Sequence, residues 1–247
     1  MEQEYQADGG TGGMWARRQV QSFSSNFLGI FVADSTGGRG VGRITPTQAF
    51  LDLYEPSDIR GQNSNLKVDY YYNDPPNLPP GVNIGDKVVF DETDPWLKYT
   101  VFYPSCTKWD FGVQGRGGAW FHIDADKDFP KYRLSETYLL LAEAQHLAGN
   151  NSGAADALNE VRLRAGASAI TAGDVDMDFI LDERARELYA EEDRRLTLYR
   201  TGMFVDRVKA MNPQAAPGVA DKHALFPIPQ SVIDSNVDAV LEQNPGY

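Results

Sequence analysis

Apolar side chains along the second half of the chain follow the period of an α-helix. From residue 132 onward they recur at the spacing of one helical face, at Leu134, Tyr138, Leu141 and Ala142. Gly149 follows the last periodic turn, and glycine there accepts the left-handed conformation in which many helices end. The pattern predicts a long helix that begins near Tyr132 and ends at Gly149.

A second helical pattern follows immediately. Asn151 or Ser152 can cap its N-terminus, and Gly166 ends it. The apolar stripe of this helix consists of Ala154, Leu158, Val161 and Ala165. The two helices form a predicted αα-hairpin of the tetratricopeptide type, in which many alanines allow a close approach. One such hairpin cannot bury its own apolar surface, so the pattern indicates further packing partners.

The rest of the second half continues the helical pattern. We expect a third helix over residues 176–200 and a fourth over residues 202–211. The proline-rich stretches LFPIPQ (225–230) and QNPGY (243–247) then predict an extended, turned tail. The predicted fold class is mainly α: a helical hairpin and further helices, together with a loop-rich segment that contains short strands.

Residues 1–130 have a different composition, and we place a domain boundary after them. They hold 16 of the 23 glycines and all four tryptophans, and clustered glycine and proline interrupt long helices. One helix is predicted from Thr45 to Tyr54, with Thr45 as N-cap and Pro46 in the first helical position. Short strands are predicted within 19–33 and at 67–73, 87–90 and 99–103. The predicted domains are a loop-rich, aromatic-rich ligand-binding segment over 1–130 and a helical segment over 131–247.

The charge balance narrows the classes of partner. The chain carries 23 Lys and Arg against 35 Asp and Glu, a formal net charge of −12, which opposes binding to the phosphates of a nucleic acid. No apolar run of about 18 residues could cross a bilayer, and the start of the chain lacks the pattern of a signal peptide. Cys106 is the one cysteine, so no disulfide forms within the chain. We therefore expect no nucleic-acid partner and no membrane span.

The densest charged segment, residues 180–195, raises the question of catalysis. A glycosidase needs two carboxyl groups that approach the bond from opposite sides, but Glu183 and Glu187 are one helical turn apart and project from the same face. Four arginines lie in the same segment: Arg184, Arg186, Arg194 and Arg195. Such neighbours lower carboxyl pKa values, whereas a general acid needs a raised pKa. The pattern indicates a structural ion network that orients the third helix, and no catalytic residue is predicted.

Three further motifs lack residues that their chemistry requires. HIDADKD (122–128) resembles the start of a calcium loop, but Phe129 and Ser135 replace the glycine and glutamate of an EF-hand. The histidines at positions 122, 146 and 223 lack a metal-ligand spacing. GGRGVGR (37–43) lacks the lysine and hydroxyl residue of a phosphate-binding loop. No metal and no cofactor is predicted, although a cation site of another type at 122–128 stays open as an alternative.

Aromatic residues on the loops are the remaining candidates for ligand binding. Seven of them are interleaved with Gly, Pro, Asn and Asp: Trp15, Tyr70, Tyr71, Tyr72, Trp96, Trp109 and Trp120. An exposed ring can stack on the apolar face of a sugar while neighbouring polar side chains bind its hydroxyl groups. The alternative is that these rings form the core of a segment without long helices. The negative charge favours neutral over acidic sugars.

Four ordered motifs of the second half resemble the SusD/RagB family. The first, KYRLSETYLLLAEAQHLAGN (131–150), contains the family's R-x-x-E-x-x-L-x-x-A-E-A pattern from Arg133 to Ala144. The others are LNEVRLRAG (158–166), ILDERARELYAEEDRRLTLYRTG (180–202), and the closing LFPIPQSVIDSN (225–236) with QNPGY. TPTQAFLDLYEPSDIRG (45–61) resembles the middle of the family, with its D-x-R at Asp58 and Arg60. The 180–202 motif differs from the family pattern at two positions: Arg195 and Thr197 stand where members commonly carry Trp and Asp.

The resemblance implies a SusD-like, mainly α fold and a non-catalytic lipoprotein of the Bacteroidota outer membrane, exposed at the cell surface. Such proteins bind oligosaccharides or polysaccharides and deliver them to a SusC-like, TonB-dependent transporter. Loop aromatics bind sugar in the family, so we expect Trp15, Tyr71, Trp96 and Trp109 to contact glycan. Because members are longer, we also expect this chain to be a carboxy-terminal half that packs against a missing N-terminal half bearing the lipid anchor. The alternative is a tetratricopeptide-like scaffold that binds a transporter or peptide without binding sugar.

Overall fold

A computed structural model describes residues 45–62, 65–95, 98, 102–108 and 132–247. These residues belong to two compact units, one that ends at Glu191 and one over Glu192–Tyr247. Several sequence predictions lie outside the described residues: Trp15, Trp96, Trp109, the strand within 19–33 and the motifs at 37–43 and 122–128.

Helices dominate the described part of the chain, which confirms the mainly α fold class. The first unit contains α1 (Gln48–Leu51), α2 (Leu134–Leu147), α3 (Asn151–Arg164) and α4 (Met177–Leu188). The second contains α5 (Arg194–Arg200), α6 (Phe204–Met211) and α7 (Gln230–Ser235). Short 3-10 turns lie at Ile59–Gly61, Pro75–Asn77, Ala172–Asp174 and Asp221–Ala224. No described helix is long and apolar enough to cross a membrane.

Helices α2 and α3 form the predicted hairpin. Gly149 adopts a φ of 78° after α2, and Gly166 adopts a φ of 74° after α3, conformations that favour glycine. The N-cap of α3 is Asn150, whose side chain accepts a hydrogen bond from the first turn at 3.1 Å. The predicted cap at Asn151 or Ser152 is therefore wrong by one or two residues.

The core of the first unit lies between α2, α3 and α4. Its largest fully buried side chains include Leu139, Leu158, Val161, Ile180 and Leu181. The predicted apolar stripe of α3 is buried throughout, since alanine at its crossing positions lets α2 approach closely. The hairpin thus supplies one apolar surface on which α4 packs.

The predicted core face of α2 is only partly correct. Leu134 and Leu141 are 68% and 44% exposed, whereas Leu139 and Ala142 are fully buried. Three leucines follow one another at 139–141, so periodicity alone fits more than one face of this helix. Packing against α3 and α4 selects the face that contains Leu139.

The predicted third helix over 176–200 is two helices. Asp176 caps α4 and Asp193 caps α5, each accepting a hydrogen bond from a backbone N–H of its first turn. Between them, Ala190 adopts a φ of 65°, a left-handed conformation that a continuous helix does not contain. The charged periodicity runs across this junction, which is why the sequence suggested a single helix.

The end of the chain follows the prediction with one addition. Gly202 adopts a φ of 72° before α6, so the fourth helix begins at Phe204, two residues later than predicted, and ends at Met211 as predicted. The proline-rich tail is extended and turned over much of its length, but it also contains the six-residue helix α7. The sequence analysis did not predict α7.

The first half forms shorter elements than predicted. Helix α1 replaces the predicted helix over 45–54, because Thr47 rather than Thr45 is the cap, with its hydroxyl accepting from Phe50 N–H at 3.2 Å. Strand β1 (Leu66–Lys67) overlaps the predicted strand at 67–73 and pairs antiparallel with β2 (Ser105–Cys106). β2 lies just beyond the strand predicted at 99–103. The strand predicted at 87–90 is reduced to one bridge between Tyr71 and Lys87.

Candidate functional site

Two carboxylates and one arginine form the centre of a buried ion network in the first unit. Glu183 and Glu187 lie one turn apart on α4, and both are almost fully buried. Arg60 donates from Nη1 to Glu183 Oε1 at 2.8 Å and to Glu187 Oε2 at 2.9 Å. Asp58 binds the other side of this guanidinium, with Oδ2 accepting from Nη2 at 2.6 Å. The D-x-R motif therefore joins the segment before β1 to α4.

Four more guanidinium groups complete the network around the two glutamates. Arg162 and Arg186 donate to Glu183 at 2.8 and 2.7 Å. Glu187 accepts from Arg164 at 2.7 Å and from Arg133, the residue before α2. The N-cap residue of α2 and helices α3 and α4 thus all contribute to one charged cluster. These contacts confirm the prediction of a structural ion network.

The sequence analysis identified one of the arginines correctly. Arg186 contacts Glu183, but Arg184 pairs with Glu136 at 3.6 Å, and Arg194 and Arg195 belong to the second unit. The other partners lie at least 21 residues from their glutamate in the sequence, which spacing within one helix cannot reveal. Two arginines of the sequence motifs could have indicated these partners: Arg60 of the D-x-R motif and Arg133 at the start of the α2 pattern.

The electrostatics of the network keep both glutamates ionised. Burial by itself raises the pKa of Glu183, but Arg186 and Arg60 outweigh burial and hold this pKa below its ordinary value. Burial likewise raises the pKa of Glu187, and the guanidinium groups led by Arg133 lower it by more. A general acid at neutral pH needs the opposite shift. The pair has neither the protonation nor the opposed geometry of a glycosidase acid and base.

A second ion cluster attaches the end of the β2 segment to the end of α4. Lys108 Nζ donates to Glu191 Oε1 at 2.5 Å and to the backbone carbonyl of Glu187 at 2.7 Å. Arg133 donates to the same Glu191 carboxylate. The small paired strands are therefore fixed to the helical core by charged hydrogen bonds.

Tyr71 is the one predicted glycan contact that lies within the described residues. Its side chain is 46% exposed. The adjacent Tyr70 is 3% exposed, and its hydroxyl donates to the Tyr103 carbonyl at 2.8 Å. Tyr70 thus belongs to the core, as the alternative interpretation of the aromatics stated, whereas Tyr71 is accessible to a ligand.

The remaining candidate residues of the described part have local partners. Cys106 is fully buried, as expected for a small apolar side chain. His146 Nδ1 lies 2.9 Å from the Asn151 side-chain oxygen, and His223 Nδ1 accepts from the Ala220 N–H at 2.9 Å. Over residues 45–62, 65–95, 98, 102–108 and 132–247, no group of three His, Cys, Asp or Glu side chains could hold a metal.

Arg195 packs between two aromatic rings in the second unit. Its guanidinium carbon lies 4.5 Å from the ring centre of Phe204 and 4.0 Å from that of Phe226. The same group donates to the backbone carbonyl of His223. A planar guanidinium stacks well on aromatic faces, so Arg195 fills a position where the resemblance led us to expect Trp and links α5 to α6 and the tail.

The comparisons with known proteins agree with these features. Starch-binding protein SusD of Bacteroides thetaiotaomicron is 37% identical over 129 residues, covering 49% of this chain and 22% of that protein. Surface glycan-binding protein A from the same organism has a similar fold, with a TM-score of 0.62 at 20% identity over 94% of this chain and 46% of that one. Its complex with laminarihexaose gives a TM-score of 0.61 at 21% identity, covering 94% of this chain and 47% of that one.

The chain therefore spans about a fifth of the length of the curated relative and about half that of the solved structures. The sequence profile of the SusD family matches residues 115–247, which is more than half of the chain. This match includes the helical hairpin, the glutamates of α4 and the closing motifs. The chain belongs to the SusD family.

Proposed function

We propose that this protein binds oligosaccharides or polysaccharides at the cell surface without cleaving them, and delivers them to a SusC-like, TonB-dependent outer-membrane transporter. The observation that carries the proposal is membership of the SusD family together with 37% identity to a starch-binding protein. The laminarihexaose complex of a structurally similar protein supports the same class of ligand. Family membership also supports an outer-membrane, surface location.

Binding without catalysis is supported by the chemistry of α4. Glu183 and Glu187 are the central carboxylates of the buried network, and five guanidinium groups surround them. They are neither accessible to a substrate nor able to donate a proton at neutral pH. Their role in the proposal is to hold the helical platform together.

The proposed glycan contacts are Trp15, Tyr71, Trp96 and Trp109. Tyr71 is supported by its exposed ring, and the three tryptophans remain predictions from the sequence. Weak stacking contacts of about 1 kcal/mol each, reduced by the cost of association, correspond to dissociation constants in the micromolar to millimolar range.

Calorimetric titration with a panel of neutral oligosaccharides tests the proposal. The panel should contain maltohexaose and laminarihexaose, with a galacturonic acid oligomer as the acidic comparison. We expect saturable binding of at least one neutral sugar, no release of reducing ends, and weaker binding of the acidic oligomer because of the net charge of −12. Binding of no sugar, or release of reducing ends, would contradict it.

A second proposal concerns a packing surface, and it bears on the alternative function, a tetratricopeptide-like scaffold that binds a transporter or peptide without binding sugar. Four leucines of α2 are substantially exposed, namely Leu134, Leu140, Leu141 and Leu147. At 3.6 residues per turn, Leu134 and Leu141 lie on one line along the helix and form an apolar strip. Such a strip marks a packing surface. We propose that it is covered by a further helical pair of the SusD-like fold, since similar proteins contain about twice the length that this chain spans.

A double substitution tests this packing surface. Leu134→Gln with Leu141→Gln should reduce binding of a hydrophobic dye and self-association while leaving the unfolding midpoint nearly unchanged, because both side chains are exposed. The matched control is Leu163→Gln, an exposed leucine of α3, which should change dye binding less. A large fall in stability of the double variant would show that the strip is already buried. Co-purification with a SusC-like transporter in the absence of any sugar binding would favour the scaffold over the glycan receptor.

A further inference from the structure

Residues 69–72 and 86–89 are joined by one antiparallel bridge and form a short ribbon around Tyr71. The Val88 N–H donates to the Tyr70 carbonyl at 2.8 Å, and the Tyr72 N–H donates to the Asp86 carbonyl at 3.0 Å. Tyr71 and Lys87 are opposite each other between these two bonds. They therefore form a non-hydrogen-bonded antiparallel pair, in which facing side chains come closest.

The alternation of a strand determines which side chains share a face of this ribbon. Asp69 lies on the same side as Tyr71, and Val89 lies on the same side as Lys87. The ion pair between Lys87 Nζ and Asp69 Oδ1, at 2.6 Å, agrees with this arrangement. The outer face of the ribbon thus carries an aromatic ring, an ammonium, a carboxylate and a valine.

This outer face is open to solvent. Tyr71 is 46% exposed and Val89 is 87% exposed. The side chains of Lys87 and Asp69 are 58% and 30% exposed even though they pair with each other. Tyr71 and Val89 occupy one diagonal of this face and the Lys87–Asp69 ion pair occupies the other, so two apolar groups flank a central pair of charged hydrogen-bonding groups.

Buried side chains on the opposite face of the ribbon fix the ribbon to the core. Tyr70 and Val88 are 3% and 6% exposed. The ring of Phe102 packs edge-on against Tyr70, with centroids 5.6 Å apart, and stacks on Phe90 at 4.4 Å. Because the inner side chains are fixed in an aromatic core, the outer ring is presented without a large loss of conformational entropy on binding.

We propose that Asp69, Tyr71, Lys87 and Val89 form a subsite for one neutral sugar ring. The C–H face of the sugar stacks on Tyr71 and contacts Val89, the Lys87 ammonium donates to one hydroxyl group, and the Asp69 carboxylate accepts from an adjacent one. Two residues along each strand span about 7 Å, and the strands lie about 5 Å apart, so the face accommodates a single ring. The proposal rests on the proposed glycan-binding function.

The charge of the subsite specifies the class of sugar. Asp69 neutralises Lys87 within the ion pair, so an anionic sugar gains no net attraction at this face. The net charge of the whole chain, −12, opposes an anionic ligand further. A neutral sugar with neighbouring hydroxyl groups matches both the donor and the acceptor of the pair.

The experiment titrates the whole chain with laminarihexaose and with maltohexaose while ¹H–¹⁵N spectra are recorded. With the sugar that binds, we expect shifts in the backbone signals of residues 69–72 and 86–89. Tyr71→Ala should weaken that binding by about fivefold to tenfold, whereas Tyr71→Phe should stay within about twofold because stacking does not need the hydroxyl. Lys87→Met and Asp69→Asn should each weaken binding by about threefold.

The matched control is Tyr199→Ala, because Tyr199 is similarly exposed, at 47%, and is not part of the proposed subsite. If a sugar binds the wild-type chain without shifting the ribbon signals, and binds Tyr71→Ala with the wild-type affinity, the subsite is wrong and the glycan-binding function stands. If the wild-type chain binds neither sugar nor any other neutral oligosaccharide of the panel, both the function and the subsite are wrong. Circular dichroism of Tyr71→Ala verifies folding, and the wild-type spectra test the subsite independently of any variant.

Discussion

Arg60 Nη1 donates hydrogen bonds to both Glu183 and Glu187, at 2.8 and 2.9 Å, across sequence separations of 123 and 127 residues. The same guanidinium is bound by Asp58 two positions earlier. One side chain therefore connects the 3-10 turn before β1 with α4. Since Arg133, Arg162 and Arg164 contact the same glutamates, the network also joins the start of α2 and helix α3 to α4.

Replacement of Arg60 by Met should destabilise the protein strongly. The substitution leaves the buried Asp58 carboxylate without the guanidinium with which it pairs and removes one of several arginine partners from Glu183 and Glu187, and breaking a buried ion pair in this way costs about 3–5 kcal/mol of unfolding free energy. Urea denaturation measures the loss. The control is Arg164→Gln, because its side chain is 56% exposed and an exposed ion pair contributes at most about 1 kcal/mol. Equal losses for the two variants would contradict the central role of Arg60.

The stability of the protein should fall in acid because of the same network. The folded-state pKa values of Glu183 and Glu187 lie below the ordinary value of 4.5, since arginine contacts outweigh burial. The unfolded chain therefore binds protons first as the pH falls. The contribution of both groups to stability is fully present above pH 4.5 and is lost progressively below it.

Unfolding free energies measured by urea denaturation from pH 7 to pH 3 test this dependence. Glu187→Gln should be less stable than the wild type at pH 7, and its stability should depend less steeply on pH below 4.5. Asp91, which is exposed and has a lowered pKa through its hydrogen bonds with Thr93, supplies a control. The Asp91→Asn variant should retain most of the acid sensitivity. An identical pH slope for Glu187→Gln and wild type would refute the assignment.

The sequence predicted the features that depend on local chemistry. Gly149 and Gly166 end α2 and α3 because glycine tolerates the left-handed conformation found there. The i, i+4 spacing of Glu183 and Glu187 placed both on one face, and the surrounding arginines indicated lowered pKa values. The fold class, the hairpin and the ion network could therefore be predicted from the sequence.

Features that depend on distant contacts could not be predicted in this way. The exposed face of α2 follows from which of the leucines at 139–141 packs against α3 and α4, and periodicity does not decide that. The break at Ala190 separates two helices whose charged patterns run together. The pairing of Tyr71 with Lys87 depends on the register of two short segments, which sequence alternation in such brief runs does not fix.

Truncation of two adjacent leucines of α2 should change the stability of the protein by very different amounts. Leu139 is fully buried and Leu140 is 44% exposed. Leu139→Ala removes buried surface and leaves a cavity, which costs about 2–4 kcal/mol, whereas Leu140→Ala should change stability by about 0.5 kcal/mol or less. Chemical denaturation of the two variants, each the control of the other, measures the difference. Similar losses would place the core of the hairpin on a different face.

Arg195 should control the attachment of the tail within the second unit. Its guanidinium lies between Phe204 and Phe226 and donates to the His223 carbonyl, so Arg195→Ala removes two stacking contacts and one hydrogen bond. Each stacking contact contributes about 0.5–1 kcal/mol, and we expect amide hydrogen exchange at residues 223–228 to accelerate about tenfold. Arg195→Lys should be intermediate, because an ammonium keeps the charge but loses the planar stacking surface. Lys209→Ala, an exposed change on α6, should leave exchange in the tail unchanged, and equal acceleration in that variant would show that the tail is held by other contacts.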